Sequence, residues 1–208
     1  MSAVAPQQSK PASKRTLLII FAVTLMPFVL SAALYYGGWR PNAGSTSHGE
    51  LVQPPRPVVD VPLQTLDGKQ IKFSDFHKKW SMIFFTASAC PEQCLQGIFA
   101  MRQIHVAQDK EVERLQRVLI LTDAAEAATL QQKLHDYPGM QVVVGPAESV
   151  AKLTEQFTLS GGQFDSNRIY LVDPMGTLMM SQKLDSEAKA MSGFLKDITH
   201  LLKYSWIG

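Results

Sequence analysis

Residues 80–94 read Trp80-Ser-Met-Ile-Phe-Phe-Thr86-Ala-Ser-Ala-Cys90-Pro91-Glu-Gln-Cys94. The first seven form a near-continuous apolar run of strand length, as expected for a central strand buried on both faces. Three small residues then lead into Cys90-Pro91. Proline suits the first turn of a helix, where its missing N–H leaves no bond unmade. Beyond it, Leu95, Ile98, Met101, Ile104 and Ala107 recur near one helical face and extend the helix to about Gln108. A buried strand that runs straight into a helix is a building unit of α/β folds.

Working outward, the same alternation continues. Leu115 to Thr122 holds a second buried strand around Val118-Leu-Ile-Leu121. Ala124 to Leu134 is helical, Gln141 to Val144 is a third strand of this kind, and Glu148 to Phe157 is helical up to the break at Ser160-Gly161-Gly162. Arg168 to Val172 and Leu178 to Gln182 flank Asp173-Pro-Met-Gly176 as a hairpin, and Ser186 to Lys203 is a last helix. Upstream, Val61 to Leu66 and Lys69 to Phe73 flank Asp67-Gly68, a strand–turn–strand signal. The order β-β-β-α-β-α-β-α-β-β-α implies a sheet with parallel central strands, helices on its faces and a final hairpin as an antiparallel edge.

Residues 40–57 (RPNAGSTSHGELVQPPRP) are rich in proline, glycine and serine and read as the main part of a linker spanning 37–57. Before it, Thr16 to Tyr36 runs for 21 residues without a charge, and a bilayer needs roughly 20 as helix. Pro27 is tolerated in such a segment. Tyr35, Tyr36 and Trp39 close one end as an interfacial belt, and Lys10, Lys14 and Arg15 precede the other. The positive-inside rule then predicts a cytoplasmic tail over 1–15, a transmembrane helix over 16–36 and an exported domain over 58–208. In a bacterium this means a single pass through the cell inner membrane with a periplasmic domain. The competing reading is a cleaved signal peptide, whose apolar region is usually shorter, about 7–15 residues. Either reading puts the cysteines where disulfides form.

The net charge of the 208 residues is +2; without Lys10, Lys14 and Arg15 there remain 17 basic against 18 acidic residues. No basic stripe with interleaved aromatics occurs, which argues against nucleic acid as a partner. There is no glycine-rich phosphate loop, no zinc-binding His-Glu-x-x-His helix and no nucleophile-elbow serine.

The chemistry therefore rests on Cys90 and Cys94, the only two cysteines. They fall at the C-terminal end of a central strand and the start of a helix, where open α/β sheets place reactive sites. Free N–H groups and the helix dipole stabilise a thiolate there. Spacing of four puts the two Cβ atoms about 5–6 Å apart. A small adjustment would join the sulfurs, and the same geometry would let both thiolates hold one soft ion such as copper(I). Three readings stay open: a working thiol pair for electrons or copper, a structural disulfide, and two unconnected cysteines. A staple normally closes a longer loop, which weakens the second.

No third ligand is evident nearby. His105 lies 11 residues past Cys94 on one helix, about 16 Å along its axis. His77, His135 and His200 read as surface residues, and His48 sits in the linker. Met175, Met179 and Met180 at the hairpin read as core filler. Asp165 and Arg168 precede the hairpin strand, and an arginine beside the thiols would favour their charged form.

The apolar segment, the Asp67-Gly68 hairpin, Ser74-Asp75-Phe76, Trp80, the strand into CPEQC, Leu121-Thr-Asp123 and Ile169-Tyr-Leu-Val-Asp-Pro-Met-Gly176 together resemble the Sco (SenC/PrrC) proteins over roughly residues 58–203. These are membrane-tethered, thioredoxin-fold factors for copper-site assembly in cytochrome c oxidase. The resemblance implies a thioredoxin-like α/β fold, a mixed sheet flanked by helices, behind one N-terminal transmembrane helix. It implies copper(I) as the cargo of Cys90 and Cys94, or thiol-disulfide exchange by them. It also implies a partner in the copper-receiving oxidase subunit or another oxidase assembly factor. The family's copper histidine stands five residues before the hairpin tyrosine. Here that position is Asp165, and Leu95 replaces the proline that usually follows the second cysteine. This chain reads as a divergent member that lacks the histidine.

Overall fold

Strand β4 (Trp80–Thr86) lies in the middle of the sheet, and every one of its residues is buried. Its side chains alternate between two cores with the period of two that strands impose. Trp80, Met82 and Phe84 face a layer with Ile98, Met101, Ile104, Leu130, Phe194, Ile198 and Leu202. Ile83 and Phe85 face the opposite layer with Phe73, Phe76, Leu153 and Phe157. A strand covered on both sides needs no polar alternation, which is why this run is apolar almost throughout.

The computed structural model describes residues 14–37, 47–159, 162–184 and 188–207. The chain divides into two units, Met1–Thr46 and Ser47–Gly208. In the first, α1 (Lys14–Tyr36) is a 23-residue helix with Pro27 inside it and no buried residue. Its length of about 34 Å exceeds the roughly 30 Å hydrocarbon layer. Among the described residues it is the one helix long and apolar enough to cross a membrane. It begins two residues before the expected segment. The tail over 1–13 and the linker over 38–46 lie outside the described residues.

The second unit contains β1 (Glu50–Pro57), β2 (Pro62–Thr65), β3 (Gln70–Lys72), β4, α2 (Glu92–Val106), β5 (Leu115–Leu121), α3 (Ala127–Lys133), β6 (Met140–Val144), α4 (Ala147–Gln156), β7 (Arg168–Val172), β8 (Thr177–Lys183) and α5 (Ala188–Tyr204). One eight-stranded sheet has the order β1-β8-β7-β4-β5-β6-β2-β3. Strands β4, β5 and β6 are parallel. The remaining pairs are antiparallel. Helices α2, α3 and α5 cover one face and α4 the other. This is a mixed sheet flanked by helices.

Two expectations are corrected. Residues 50–57 are not linker: they form β1, paired with β8 through Glu50↔Ser181, Leu51↔Met180, Arg56↔Leu178 and Pro57↔Thr177. Three prolines made this stretch read as loop. Proline removes ladder donors, so it is confined to edges and bulges, and β1 is an edge strand whose register breaks between Leu51 and Arg56. For the same reason the β7–β8 hairpin is not an edge, because β1 covers it. The edges are β1 and β3.

Candidate functional site

Helix α2 packs unusually close to β4, and this fixes the site. A Cβ on Gly97 would lie 2.9 Å from Phe84 Cζ and 2.9 Å from Leu184 Cδ1. Only hydrogen fits there, so one turn of helix before it the backbone of Cys94 is held against the C-terminal end of β4. Pro91 caps the helix in extended conformation. Cys94 therefore occupies the first turn, and Cys90 lies in the loop just before it.

The two cysteines are joined as a disulfide, with Cα atoms 5.2 Å apart. Cys90 lies before the helix and not on it, and a disulfide draws the two Cβ atoms closer than the separation of about 5–6 Å expected of a helical spacing of four. Cys90 has φ +41°, in the left-handed region that residues with a Cβ avoid. Both residues are almost fully covered, Cys90 being 1% and Cys94 3% exposed. The residues around them are exposed, namely Ala89, Pro91, Glu92 and Gln93. The disulfide thus lies one residue layer beneath the surface.

The loop before Cys90 is tied down by side chains that single-residue reading did not select. Ser88 Oγ donates to Asp123 Oδ1, and the Ser88 N–H donates to the same carboxylate at 3.3 Å. The Glu126 N–H donates to Ser88 Oγ at 2.8 Å. The Ser88 hydroxyl first, then the backbone N–H groups of Ala125 and Ser88, hold the Asp123 carboxyl below its ordinary pKa. Lys133, the last residue of α3, donates from Nζ to Ala89 O at 2.8 Å and to Cys90 O at 3.2 Å. The Ser88–Asp123 pair has a signal in the strand register. Thr86 lies opposite Leu121 in the parallel pair β4–β5, so the residues two places beyond each come side by side.

Asp165 and Arg168 belong elsewhere. Arg168 is bound to Glu50 Oε2 at 2.6 Å, to Asp165 Oδ2 at 3.1 Å and to Ser181 Oγ at 3.0 Å. With Glu50, Gln163 and Phe164 they line an open groove of about 460 Å³ to which neither cysteine contributes. Arg168 spends its donors on that network, in which Glu50 comes from the unexpected strand β1. His48 is held by Asp197 of α5, with Nδ1 at 3.1 Å. Met180 is buried and Met179 packs on the same core, while Met175 is exposed. Among the described residues no three His, Cys, Asp or Glu side chains converge on one metal position. The donor set available to a soft cation is the two sulfurs of Cys90 and Cys94, once reduced.

The segment at Asp165 is anchored by Tyr170, whose hydroxyl donates to Asp165 O at 2.7 Å. Burial pushes the Tyr170 phenol up to about 12. The folded state keeps this proton after the unfolded chain, with its ordinary value near 10, has lost it. The stability from this group is therefore complete below about pH 10 and is lost as pH rises through about 12. Denaturant titrations across that window will show the loss, and Tyr170→Phe will flatten it. An equal slope in both proteins would remove Tyr170 as its source.

The family model for a transmembrane-like, thioredoxin-like C-terminal domain matches residues 80–205, from the start of β4 to just beyond α5. The chain belongs to that family. A comparison with curated proteins finds no significant match. Among solved structures, this thioredoxin-like chain is similar to yeast Sco1 with copper bound, at 20% identity and TM-score 0.60, covering 73% of this chain and 91% of that one. It is similar to apo Sco1 of Thermus thermophilus at 22% identity and TM-score 0.58, covering 76% and 99%. It is also similar to the thioredoxin domain of a Bacteroides vulgatus thiol-disulfide oxidoreductase at 15% identity and TM-score 0.52, covering 69% and 95%. The resemblance read from the sequence is borne out at the level of the fold.

Proposed function

We propose that this chain is a membrane-anchored, exported factor in cytochrome c oxidase biogenesis, acting through Cys90 and Cys94 on the copper-receiving subunit or on another assembly factor. One observation carries the reading: the cysteine pair sits at the tip of a buried parallel strand, at the mouth of a helix, one layer below the surface. That is where α/β folds place reactive groups and where a thiolate is favoured. Lys14 and Arg15 at the start of α1, with Lys10 before them, support a cytoplasmic N-terminus and a periplasmic domain in the cell inner membrane.

In the redox form of the proposal, the reduced pair attacks a disulfide of the target. The Cys90 thiolate bonds to one target sulfur, and the other leaves as a thiolate and takes a proton from water. Cys94 then gives its proton to water and attacks Cys90 Sγ. The Cys90–Cys94 bond forms, the second target sulfur leaves, and two electrons have passed to the target. A dithiol protein of the same compartment returns the pair to the reduced state. Cys90 is the attacker because its backbone lies in the loop, whereas that of Cys94 is fixed in the helix. In the cargo form, the two reduced sulfurs carry copper(I), the soft ion such ligands select. The similar Sco structures from yeast, Bradyrhizobium japonicum and Arabidopsis thaliana have copper bound, which supports this form. A third reading, an assembly partner with an inert disulfide, requires that the pair never be reduced in cells.

Single substitutions separate these. Cys94→Ser should trap a mixed disulfide with the target, detected as a reducible adduct, and Cys90→Ser should not. The reverse pattern would assign the attack to Cys94. No adduct from either variant, together with one-to-one copper(I) binding that both variants lose, would replace exchange by copper delivery. Neither adduct nor copper binding would leave only the inert partner.

A further inference from the structure

We propose that Lys133 is a positioning residue that clasps the 87–90 loop over the disulfide, so that reduction of Cys90–Cys94 waits on release of that clasp. The inference rests on the proposed reading of the two cysteines as a working pair, and it adds a residue that controls access to them.

A thiol or thiolate must reach a sulfur along the S–S axis to exchange with it. With Cys90 and Cys94 1% and 3% exposed, neither sulfur offers that approach, so reaction needs a local opening. The loop that leads into the helix, with Ala89 and Pro91 exposed on either side of buried Cys90, is the layer that can move. Helix α2 behind it cannot shift easily, because Gly97 is in close contact with Phe84 and Leu184.

Two ties hold the loop. The inner one joins Ser88 to Asp123 and Glu126. The outer one is Lys133, a single ammonium that bridges two successive carbonyls, Ala89 O and Cys90 O. Charge-assisted bonds of this kind are the stronger ones. The residue they hold is in an unfavourable conformation, since Cys90 keeps a φ of +41°. A left-handed non-glycine residue persists only where its surroundings impose it. Releasing the Lys133 bridge therefore frees a segment that relaxes outward and brings Cys90 with it. Lys133 is well placed for such control. It is the exposed final residue of a short helix, so its removal takes nothing from either core.

The test uses the oxidised full chain in detergent and measures the rate of disulfide reduction by dithiothreitol. Lys133→Met should accelerate reduction about fivefold to tenfold, the factor that the loss of one net hydrogen bond supplies. Its thermal midpoint in the oxidised form should fall by no more than about 2–4 °C, the shift that the loss of one such bond produces in a domain of this size. Lys133→Arg should restore the parent rate, because a guanidinium can bridge the same carbonyls. An unchanged or slower rate in Lys133→Met, or equal acceleration in Lys133→Arg, would overturn the clasp. Because the reductant is a small molecule, none of these outcomes depends on the oxidase partner. A disulfide reduced only as fast as the whole domain unfolds, in every variant, would overturn both the clasp and the redox reading beneath it.

Discussion

Replacing both Cys90 and Cys94 with alanine should abolish oxidase maturation in cells while leaving a folded, membrane-associated protein. The structural cost is bounded by the small loop that the bond closes: chain entropy assigns a loop of about five residues roughly 2 kcal/mol. Domains commonly hold about 5–15 kcal/mol, so most of the fold should survive. Alanine is the right replacement, because serine would bury two hydroxyls where the cysteines are almost fully covered. Circular dichroism and membrane fractionation check the fold, and oxidase activity in a strain lacking the native chain checks the function. Full oxidase activity from the double variant would reduce the disulfide to a staple and remove the proposed function.

The largest expected effect on stability lies on the other side of the sheet. Phe157, just past α4, is fully buried. Its ring meets Phe85 at 5.1 Å, Tyr170 at 5.2 Å and Phe73 at 6.3 Å, all edge-on. Phe157→Ala should cost about 3–5 kcal/mol through lost transfer energy and the cavity left behind. That corresponds to a fall in the melting midpoint of about 10 °C for a domain of this size. Phe157→Leu, which keeps most of the volume, should cost less than half as much. Chemical denaturation of both variants measures this. A loss below about 1 kcal/mol for alanine would mean that α4 does not seal this face as described.

The two effects separate because the sheet separates them. The disulfide adjoins the core shared by β4, α2, α3 and α5. Phe157 anchors the opposite core under α4. Damage to the second lowers the stability of the whole domain, and damage to the first removes the chemistry.

The sequence by itself determined the order of strands and helices from Val61 onward, because each element carries a local signal. Apolar runs such as Val118 to Leu121, the turns at Asp67-Gly68 and Asp173–Gly176, and the 3.6-residue period of α2 are all written in neighbouring residues. It also placed Cys90 and Cys94 at the strand–helix junction, since a spacing of four at a helix start is itself a geometry. Only the tertiary structure decided that Glu50–Pro57 is a strand, because a proline-rich edge is stabilised by its neighbour β8 and not by its own propensity. The same holds for the burial of both sulfurs, and for Ser88, Asp123 and Lys133, which meet at the cysteine loop across roughly 35 to 44 residues of chain. Contacts at that separation are set by how strands align and helices dock, and single positions in a sequence carry no trace of either.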